Sequence, residues 1–259
     1  MMYLKTENEK LDKGRRQLQF MKKTASIVLA TCLCNLTYAQ VVIALLFGDK
    51  LNTGSLEFGI VVAPGSTDIS NIVSKRRENL SLGIYFNIHP DKKFFFHIEG
   101  IAKGSFGAES LTPYPVGNDT LNDLFANSSV ERKIKAFSLP ILGRYAITPK
   151  LFVEAGIQPD MLLKSKDIFT TKVNDNELTY ETVISDQVAL LDFGVAGGLF
   201  YKFRKDKRSM GIGIRYFQGL TDILPATTGN QANNSWQLNI TIPIGAGKVN
   251  ASSTKSAGH

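Results

Sequence analysis

Residues Ser209–Phe217 read SMGIGIRYF and place one kind of side chain at every second position. Met210, Ile212, Ile214 and Tyr216 are bulky and apolar, whereas glycine or arginine stands between them. A repeat of two residues is typical of a β-strand with one apolar face. That face must contact either a protein core or lipid, and the rest of the sequence favours one of these.

The same alternation recurs in eight segments after residue 54. Each segment is close to or above the 9–11 residues that a tilted strand needs to cross a bilayer, and their number is even. Short turns such as HPDK alternate with long connections. The sequence therefore predicts an all-β fold, an eight-stranded antiparallel up-and-down transmembrane β-barrel with short periplasmic turns and long extracellular loops. The segments are 55–63, 79–88, 93–104, 133–147, 150–163, 187–203, 208–218 and 235–245, and the long loops are 64–78, 105–132, 164–186 and 219–234.

The face opposite the apolar one is rich in glycine and carries a few charges. A water-exposed surface would be dense in Lys and Glu, whereas glycines with scattered charges suit a narrow lumen. We therefore expect the apolar face to contact lipid; the alternative is the core of a soluble barrel or sandwich. The predicted lumen network comprises Glu57, His97, Glu99, Arg144, Glu154, Asp192 and Arg215. The aromatic residues expected at the membrane interfaces are Tyr145, Tyr201, Phe203, Tyr216 and Trp236.

Residues 21–39 have the pattern of a secretory signal peptide. Two lysines precede a short apolar run, and cleavage is predicted between Ala39 and Gln40. Export to the cell outer membrane follows, and both cysteines lie inside this leader, so no disulfide is expected in the mature chain. Residues 1–20 are polar, and we interpret them as a non-native extension before a start at Met21.

The segments that flank the barrel are predicted separately. Residues 40–54 contain an apolar run that forms either an extra strand or a short plug helix. The barrel spans 55–245, and residues 246–259 are polar and expected to be disordered. Pro140 and Pro243 lie inside predicted strands and lack a backbone N–H, so a bulge or a strand end is expected at each.

The charge of the chain does not indicate a nucleic-acid partner. Seven of the 30 Lys and Arg and three of the 23 Asp and Glu lie in residues 1–39, which leaves a net charge of about +3. No basic run is interleaved with aromatic residues. The expected partners are outer-membrane lipid and surface or periplasmic proteins, and the barrel is expected to be a monomer.

Only one pair of residues is placed for catalysis. His97 and Glu99 lie on the same side of one strand, as a base and its orienting acid would. No serine lies two residues from His97, no GxSxG or HExxH motif occurs, and no His or Cys cluster suggests a metal. We predict no catalytic residue, no metal, no cofactor and no enzymatic activity. A narrow channel, an outer-membrane lipid hydrolase and a soluble lipid-binding barrel remain as alternatives.

Several stretches carry a resemblance to a known group. The leader ending in Ala-Gln, the run VVIALLFGDKLNTGSLEFGI after it, FSLPILGRY at Phe137–Tyr145 and FGVAGGLFYKF at Phe193–Phe203 resemble small outer-membrane β-barrel proteins of Bacteroidota, called porin-like or PorT-like. The resemblance implies a non-enzymatic barrel, and PorT-like members are associated with protein secretion. We expect a structural or binding role through the surface loops. Within loop 105–132, four side chains either contact a partner or pack across the barrel mouth: Tyr114, Leu121, Leu124 and Phe125.

Overall fold

The computed structural model describes residues 55–205 and 209–244, which form an antiparallel sheet closed on itself. Within these two ranges, ten strands and one short helix follow one another. Their bounds are β1 Leu56–Ile69, β2 Lys75–Ile88, β3 Phe94–Leu111, α1 Asp119–Phe125, β4 Ser129–Ser138, β5 Ile141–Ala146, β6 Leu151–Val173, β7 Asn176–Val183, β8 Leu191–Lys202, β9 Gly211–Gly219 and β10 Asn233–Pro243.

Several sequence predictions fall outside the described residues. These are the extension 1–20, the signal peptide 21–39 with its cleavage site at Ala39 and Gln40, the strand or plug helix within 40–54, and the tail 246–259.

The ring of strands has eight positions. Every described strand of the ring pairs antiparallel with its neighbours, and β1 pairs with both β2 and β10, which closes the ring. β4 and β5 share one position, because both pair with β3 on one side and β6 on the other. β7 lies outside the ring as a hairpin with the upper half of β6. The predicted eight-stranded antiparallel barrel is confirmed.

Pro140 explains why one position of the ring is split into two strands. β4 ends at Ser138 and β5 begins at Ile141, and the proline between them has no N–H to donate. The neighbouring groups still bridge the gap, because the Leu139 N–H donates to the Pro159 carbonyl at 3.0 Å. The Pro140 carbonyl accepts from the Glu99 N–H at 2.9 Å. Pro243 is the last residue of β10, so both prolines behave as predicted.

The strands extend well beyond the predicted segments at the end of the barrel that carries the long connections, here called the loop end. β1 continues to Ile69 and β6 continues to Val173, so much of each long connection is strand. Apolar alternation did not reveal these extensions, because sequence such as KRREN at the start of β2 has no apolar face. The β6–β7 hairpin turns at Asn174 and Asp175, whose φ angles of 50° and 62° fit a type I′ turn.

A short helix crosses the mouth of the barrel at the loop end. The Asn118 side chain caps α1 by accepting from the Leu121 N–H at 3.3 Å, and Asp119 occupies the first turn. Phe125, at the last helical position, is buried. None of the helices in the described part of the chain is long and apolar enough to span a membrane.

Side chains alternate between the two faces of the sheet in the way that a lipid-facing barrel requires. Below the loop end, the outward side chains are mostly large, apolar and exposed, while many inward ones are polar or charged and buried. Exposed outward residues include Ile84, Phe94, Phe96, Phe137, Val153, Ile157, Val195, Leu199, Ile214 and Leu238.

Candidate functional site

Arg215 on β9 lies at the centre of a charged network in the middle of the lumen. Its Nη1 and Nη2 donate to the two oxygens of Glu99 on β3 at 2.8 and 2.9 Å. Its Nε donates to Glu154 Oε1 on β6 at 2.7 Å. The other oxygen of Glu154 accepts from Arg144 Nε on β5, also at 2.7 Å. These four side chains are at most 2% exposed, so the ion pairs link strands across the lumen out of contact with water.

The network continues from Glu99 toward β1. His97 Nε2 lies 2.6 Å from Glu99 Oε1, and His97 Nδ1 lies 2.6 Å from Asn87 Oδ1. The Asn87 amide donates to Glu57 Oε1 at 2.8 Å, and the Tyr85 hydroxyl donates to the same oxygen at 3.0 Å. All five side chains are buried, so one continuous chain of polar contacts runs from β1 to β9.

The charges of this network balance. Three carboxylates, Glu57, Glu99 and Glu154, are matched by Arg144, Arg215 and Lys202, whose Nζ lies 3.9 Å from Glu57 Oε2. A buried ion pair is tolerated when close partners and hydrogen bonds offset its desolvation.

Glycine makes room for the large side chains that cross the lumen. The Arg144 guanidinium carbon lies 3.9 Å from the centre of the Phe200 ring, which covers its face. A Cβ at Gly59 would lie 2.4 Å from the Tyr85 ring, and one at Gly194 would lie 2.5 Å from the Phe217 ring. These positions need glycine because an aromatic ring occupies the space of a side chain.

Asp192 does not join the central network. It is the cross-strand partner of Asp160, and both carboxylates are buried near the loop end of the membrane-facing region. Asn233 donates to Asp192 at 2.7 Å, and Gln158 donates to Asp160 at 3.0 Å. Within the described residues, neither carboxylate forms an ion pair. The structure therefore brings six residues of the predicted network together and places the seventh in a separate amide-bound cluster.

Apolar side chains fill the lumen on both sides of the charged network. At the turn end, where the short turns lie, Phe95, Phe152 and Phe200 form a cluster. At the loop end a larger core joins the upper strands to the connection after β9, which inserts Ile223 and Leu224. The other members of this loop-end core are Ile69, Phe106, Ala108, Leu111, Phe125, Val130, Ile134, Ala136, Leu142, Leu162, Phe169, Ala196 and Phe217.

Residues 112–128, here called the mouth loop, pack over the loop-end core. Phe125 is buried against Phe169 and Tyr180, and Leu121 is partly buried against the same core. Tyr114 stacks edge-on against Phe169, with ring centres 5.1 Å apart. Of the four side chains predicted to contact a partner or pack across the mouth, Phe125 and Leu121 pack, while Tyr114 and Leu124 are 38% and 36% exposed.

A hydrogen bond from Tyr114 anchors the mouth loop to Asp167 on β6, a carboxylate that is also paired with Arg132 on β4. The Tyr114 hydroxyl donates to Asp167 Oδ2 at 2.9 Å, and Arg132 donates to both Asp167 oxygens at 2.8 and 2.6 Å. Partial burial and the adjacent Asp167 carboxylate raise the pKa of Tyr114 above its ordinary value of 10.0. The phenol therefore stays protonated and keeps donating through the neutral pH range.

The five aromatic residues predicted for the interfaces fall into two groups at different heights. Tyr145, Tyr201 and Phe203 are exposed near the turn end. Lys93 and Lys150 approach the rings of Tyr145 and Tyr201 at 4.9 and 5.9 Å. Tyr216 and Trp236 are cross-strand partners toward the loop end, with ring centres 4.8 Å apart. Amphipathic rings at two levels of an apolar wall suit the two boundaries of a bilayer.

Sequence reasoning missed several lumen residues. Lys202 and Phe95 have the same parity as Asp192 and His97, so alternation alone would have placed both inside. Phe95 was overlooked because it is itself apolar and stands in the run Phe94–Phe96, and Lys202 because it is the last residue of its strand. Asp160 also points inward by the parity of Glu154 and Gln158.

The lumen offers little for catalysis. Both ring nitrogens of His97 are engaged by protein groups, and Glu99 is held by Arg215. In the ranges 55–205 and 209–244, no three His, Cys, Asp or Glu side chains come together as a metal site. The arrangement can hold charges in fixed positions and join strands.

Comparisons with solved structures return small bacterial surface barrels. Ail, the attachment invasion locus protein of Yersinia pestis, solved with the heparin analogue sucrose octasulfate, is 10% identical, with a TM-score of 0.39 over 72% of this chain and 96% of that chain. Neisserial surface protein A is 9% identical, with a TM-score of 0.38 over 73% and 97%. OprG from Pseudomonas aeruginosa is 10% identical, with a TM-score of 0.35 over 74% and 97%.

A search of curated proteins found no significant match. A family comparison matched the outer membrane protein β-barrel domain over residues 47–225, which is more than half of the 259 residues. The matched region contains most of the ring, the central charged network and the mouth loop. The chain belongs to the outer membrane protein β-barrel domain family.

Proposed function

We propose that this protein is a non-enzymatic, non-conducting barrel of the outer membrane that acts by binding a protein partner at its loop end. The observation that carries the proposal is the filling of the lumen at every level. Phenylalanines occupy the turn end, balanced ion pairs occupy the middle, and the loop-end core closes the top. A function through the lumen would require an open path or an accessible site.

Eight strands already leave an interior only wide enough for side chains. In this barrel the side chains that fill it are large, and Arg144, Arg215, Phe95 and Phe217 are at most 2% exposed. Ions would have to displace a guanidinium held by two carboxylates. This supports a barrel without a stable conducting state.

The same enclosure argues against hydrolysis of a lipid. His97 is fully buried, and its nitrogens face Asn87 and Glu99 rather than a nucleophile. A general base must be within hydrogen-bond reach of the proton that it abstracts. Within the described residues this imidazole has no exposed surface, which supports a structural role for His97 in the network.

The loop end presents an apolar strip suited to a partner. On one face of the β6–β7 hairpin, Phe169 and Tyr180 are cross-strand partners, and Leu178 and Val173 follow above them at 40% and 38% exposure. Tyr114 extends the strip onto the mouth loop through its contact with Phe169. Phe169 is fully buried, so the exposed apolar groups of this strip are Leu178, Val173 and Tyr114, with Tyr180 partly exposed. Exposed apolar groups on a hairpin at the loop end suit a protein interface.

Export through the signal peptide at 21–39, cleavage at Ala39–Gln40 and a monomeric barrel belong to this proposal. So does the finer likeness to PorT-like barrels of Bacteroidota, which rests on the strand sequences FSLPILGRY and FGVAGGLFYKF. If the protein takes part in secretion, a contact at the loop end with a passing or anchored surface protein is the role that a closed lumen leaves available.

Current recording in planar bilayers tests the closed lumen. The refolded wild-type barrel should show no stable open level, whereas the variant Phe95→Ala/Arg215→Ala/Phe217→Ala should show openings because it removes one large side chain from each of the three layers of the filling. A steady unitary conductance of the wild type would replace this proposal with the channel alternative.

Photocrosslinking in intact cells tests the binding role. A photoreactive residue at Leu178 should trap a discrete protein adduct. The same residue at Ile214, which faces outward from the barrel wall at 51% exposure, should not. Equal labelling at both positions, or none at Leu178, would contradict a partner at the hairpin.

A further inference from the structure

The outer wall of the barrel has an opening between β2 and β3. The ladder pairs Arg76 with Ala108 and resumes at Leu82 with Lys103, and between these points residues 77–81 of β2 do not pair with residues 104–107 of β3. We call this opening the β2–β3 seam. It forms a pocket of about 670 Å³ on the outer wall of the barrel.

Side chains stabilise the seam in place of ladder hydrogen bonds. The Asn79 amide donates to the Ser105 carbonyl at 2.8 Å, and the Thr67 hydroxyl donates to the Gly107 carbonyl at 2.9 Å. Arg77 donates to Ser105 Oγ at 3.1 Å and to Glu131 at 2.6 Å. These side-chain hydrogen bonds replace the missing ladder hydrogen bonds between β2 and β3. The pocket is therefore a defined feature of the wall.

The pocket lining is strongly basic. Arg77, Lys103, Lys133 and Lys135 face one carboxylate, Glu78. Arg77 is already paired with Glu131, but the three lysines form no ion pair with any carboxylate in the described ranges. Each of them is at least partly exposed. Three unpaired ammonium groups in one pocket create a site for an anion.

The positive region continues up the adjoining hairpin. Lys166 on β6 contacts Glu181 on β7, and the pKa of Glu181 is lowered, first by this hydrogen bond and then by the charges of Lys166, Lys164 and Lys133. Glu181 therefore stays ionised, and Lys164 and Lys133 add positive charge beside the Lys166–Glu181 pair.

The seam lies where the barrel leaves the membrane. Along β4 and the residue that follows it, the outward residues change from Leu139 and Phe137, which are exposed and apolar, to Lys135 and Lys133. The pocket is lined by Leu80 and Leu163 beside the lysines, and these two side chains are 47% and 45% exposed. One site thus offers apolar contact on the lipid side and ammonium groups on the water side.

We propose that the β2–β3 seam binds the phosphorylated headgroup of an outer-leaflet lipid. Lys103, Lys133 and Lys135 contact the phosphate oxygens, and Leu80 and Leu163 contact the first methylenes of the acyl chains. A free anion would use the lysines alone and leave the adjoining apolar lining without a role. The seam offers contacts to both the polar and the apolar half of an amphipathic lipid. The bilayer places such a lipid at the height of the seam.

Native mass spectrometry with bis-phosphorylated lipid A tests the proposal. The detergent-solubilised wild type should bind one lipid, and Lys103→Gln/Lys133→Gln/Lys135→Gln should bind roughly 10- to 100-fold more weakly, because each lysine near an anionic surface contributes on the order of several-fold. The matched control is Lys75→Gln/Lys92→Gln/Lys172→Gln, which removes the same charge from exposed positions outside the seam and should bind like the wild type.

Three further arms complete the test. Lipid A without its phosphates should bind the wild type weakly. Its affinity should be no higher than that of phosphorylated lipid A for the seam variant, Lys103→Gln/Lys133→Gln/Lys135→Gln. A gel-mobility assay should show that both triple variants are folded. Binding of the seam variant at wild-type strength, equal loss in the control variant, or indifference to the phosphates would overturn the site. Inorganic phosphate that binds as tightly as lipid A would overturn its assignment to a lipid.

Discussion

The middle of the lumen and the loop-end core both fill the interior of the barrel, but the first does so with charged side chains and the second with apolar ones. In the middle, Glu99, Glu154 and Arg215 face inward while apolar side chains face outward. At the loop end, apolar side chains face inward while lysines face outward. A single strand shows both arrangements, because on β4 the inward residues change from Ser138 to Ile134 as the outward ones change from Phe137 to Lys133.

The difference follows from the solvent outside the wall. Below Lys135 the outward residues contact lipid, so apolar side chains are favoured there and polar side chains such as Glu99 and Arg215 turn inward. The lumen at the turn end also holds the apolar cluster of Phe95, Phe152 and Phe200. Above Lys135 the solvent is water, and the hydrophobic effect drives apolar groups inward. The chemistry of each face therefore changes at the membrane boundary, and register shifts near this point move the inward parity from odd to even on β3 and from even to odd on β6.

Removing Arg215 should give the largest loss of stability. Arg215→Met leaves Glu99 and Glu154 without their shared guanidinium, and breaking a buried ion pair costs about 3–5 kcal/mol. The midpoint of urea unfolding in lipid vesicles, followed by Trp236, the single tryptophan, measures the loss. Ile214→Ala on the same strand faces outward and serves as the control. Equal losses in the two variants would show that the network contributes nothing to stability.

A cavity in the loop-end core should lower the free energy of unfolding somewhat less than Arg215→Met does. Ile223 is fully buried but lies on a connection that can settle, so Ile223→Ala should fall in the lower part of the usual range of about 2–5 kcal/mol. Leu220→Ala, in the same connection and 56% exposed, is the control. The same urea titration applies, and a loss no greater than that of Leu220→Ala would mean that this core does not behave as a water-excluded interior.

Neutralising one of the paired aspartates should raise stability. Asp160 and Asp192 are buried cross-strand partners, and no described cation pairs with either. Asp160→Asn removes a like charge and a desolvation penalty while an amide can still bond Gln158, so we expect a gain of about 1 kcal/mol. Glu154→Gln, made in the charge-balanced network, should instead lose stability. A loss from Asp160→Asn would show that the upper cluster depends on its charge as the middle network does.

The alternation of residues was sufficient to predict the barrel and the inward orientation of each predicted lumen residue. It did not predict the position of each residue along the barrel axis. Glu57 and Arg215 were placed together because both lie between apolar neighbours. Asp192 also stands between apolar neighbours, yet it lies closer to the loop end, where it accepts a hydrogen bond from Asn233. The strand extensions were missed because their apolar alternation is interrupted by polar stretches such as KRREN at the start of β2. The β2–β3 seam leaves no signal in the sequence, since it arises from strands that separate.

The smallest effect should come from the hydroxyl that anchors the mouth loop. Tyr114→Phe keeps the ring contact with Phe169 and loses only the hydrogen bond to Asp167, so amide exchange in residues 112–128 should quicken by the equivalent of about 1 kcal/mol.

The pH dependence of the mouth loop separates this hydrogen bond from the ring packing. Because the folded pKa of Tyr114 is raised, its contribution is complete below the unfolded value of about 10 and is lost as pH rises toward the folded value. Wild-type protection of the mouth loop, corrected for intrinsic exchange, should hold between pH 6 and about 9. It should then fall toward the level of Tyr114→Phe, which lacks this titration. Parallel alkaline losses in both proteins would assign the effect to other groups. Protection that matches in both at neutral pH would mean that the aromatic contacts alone hold the loop, as apolar packing holds the core beneath it.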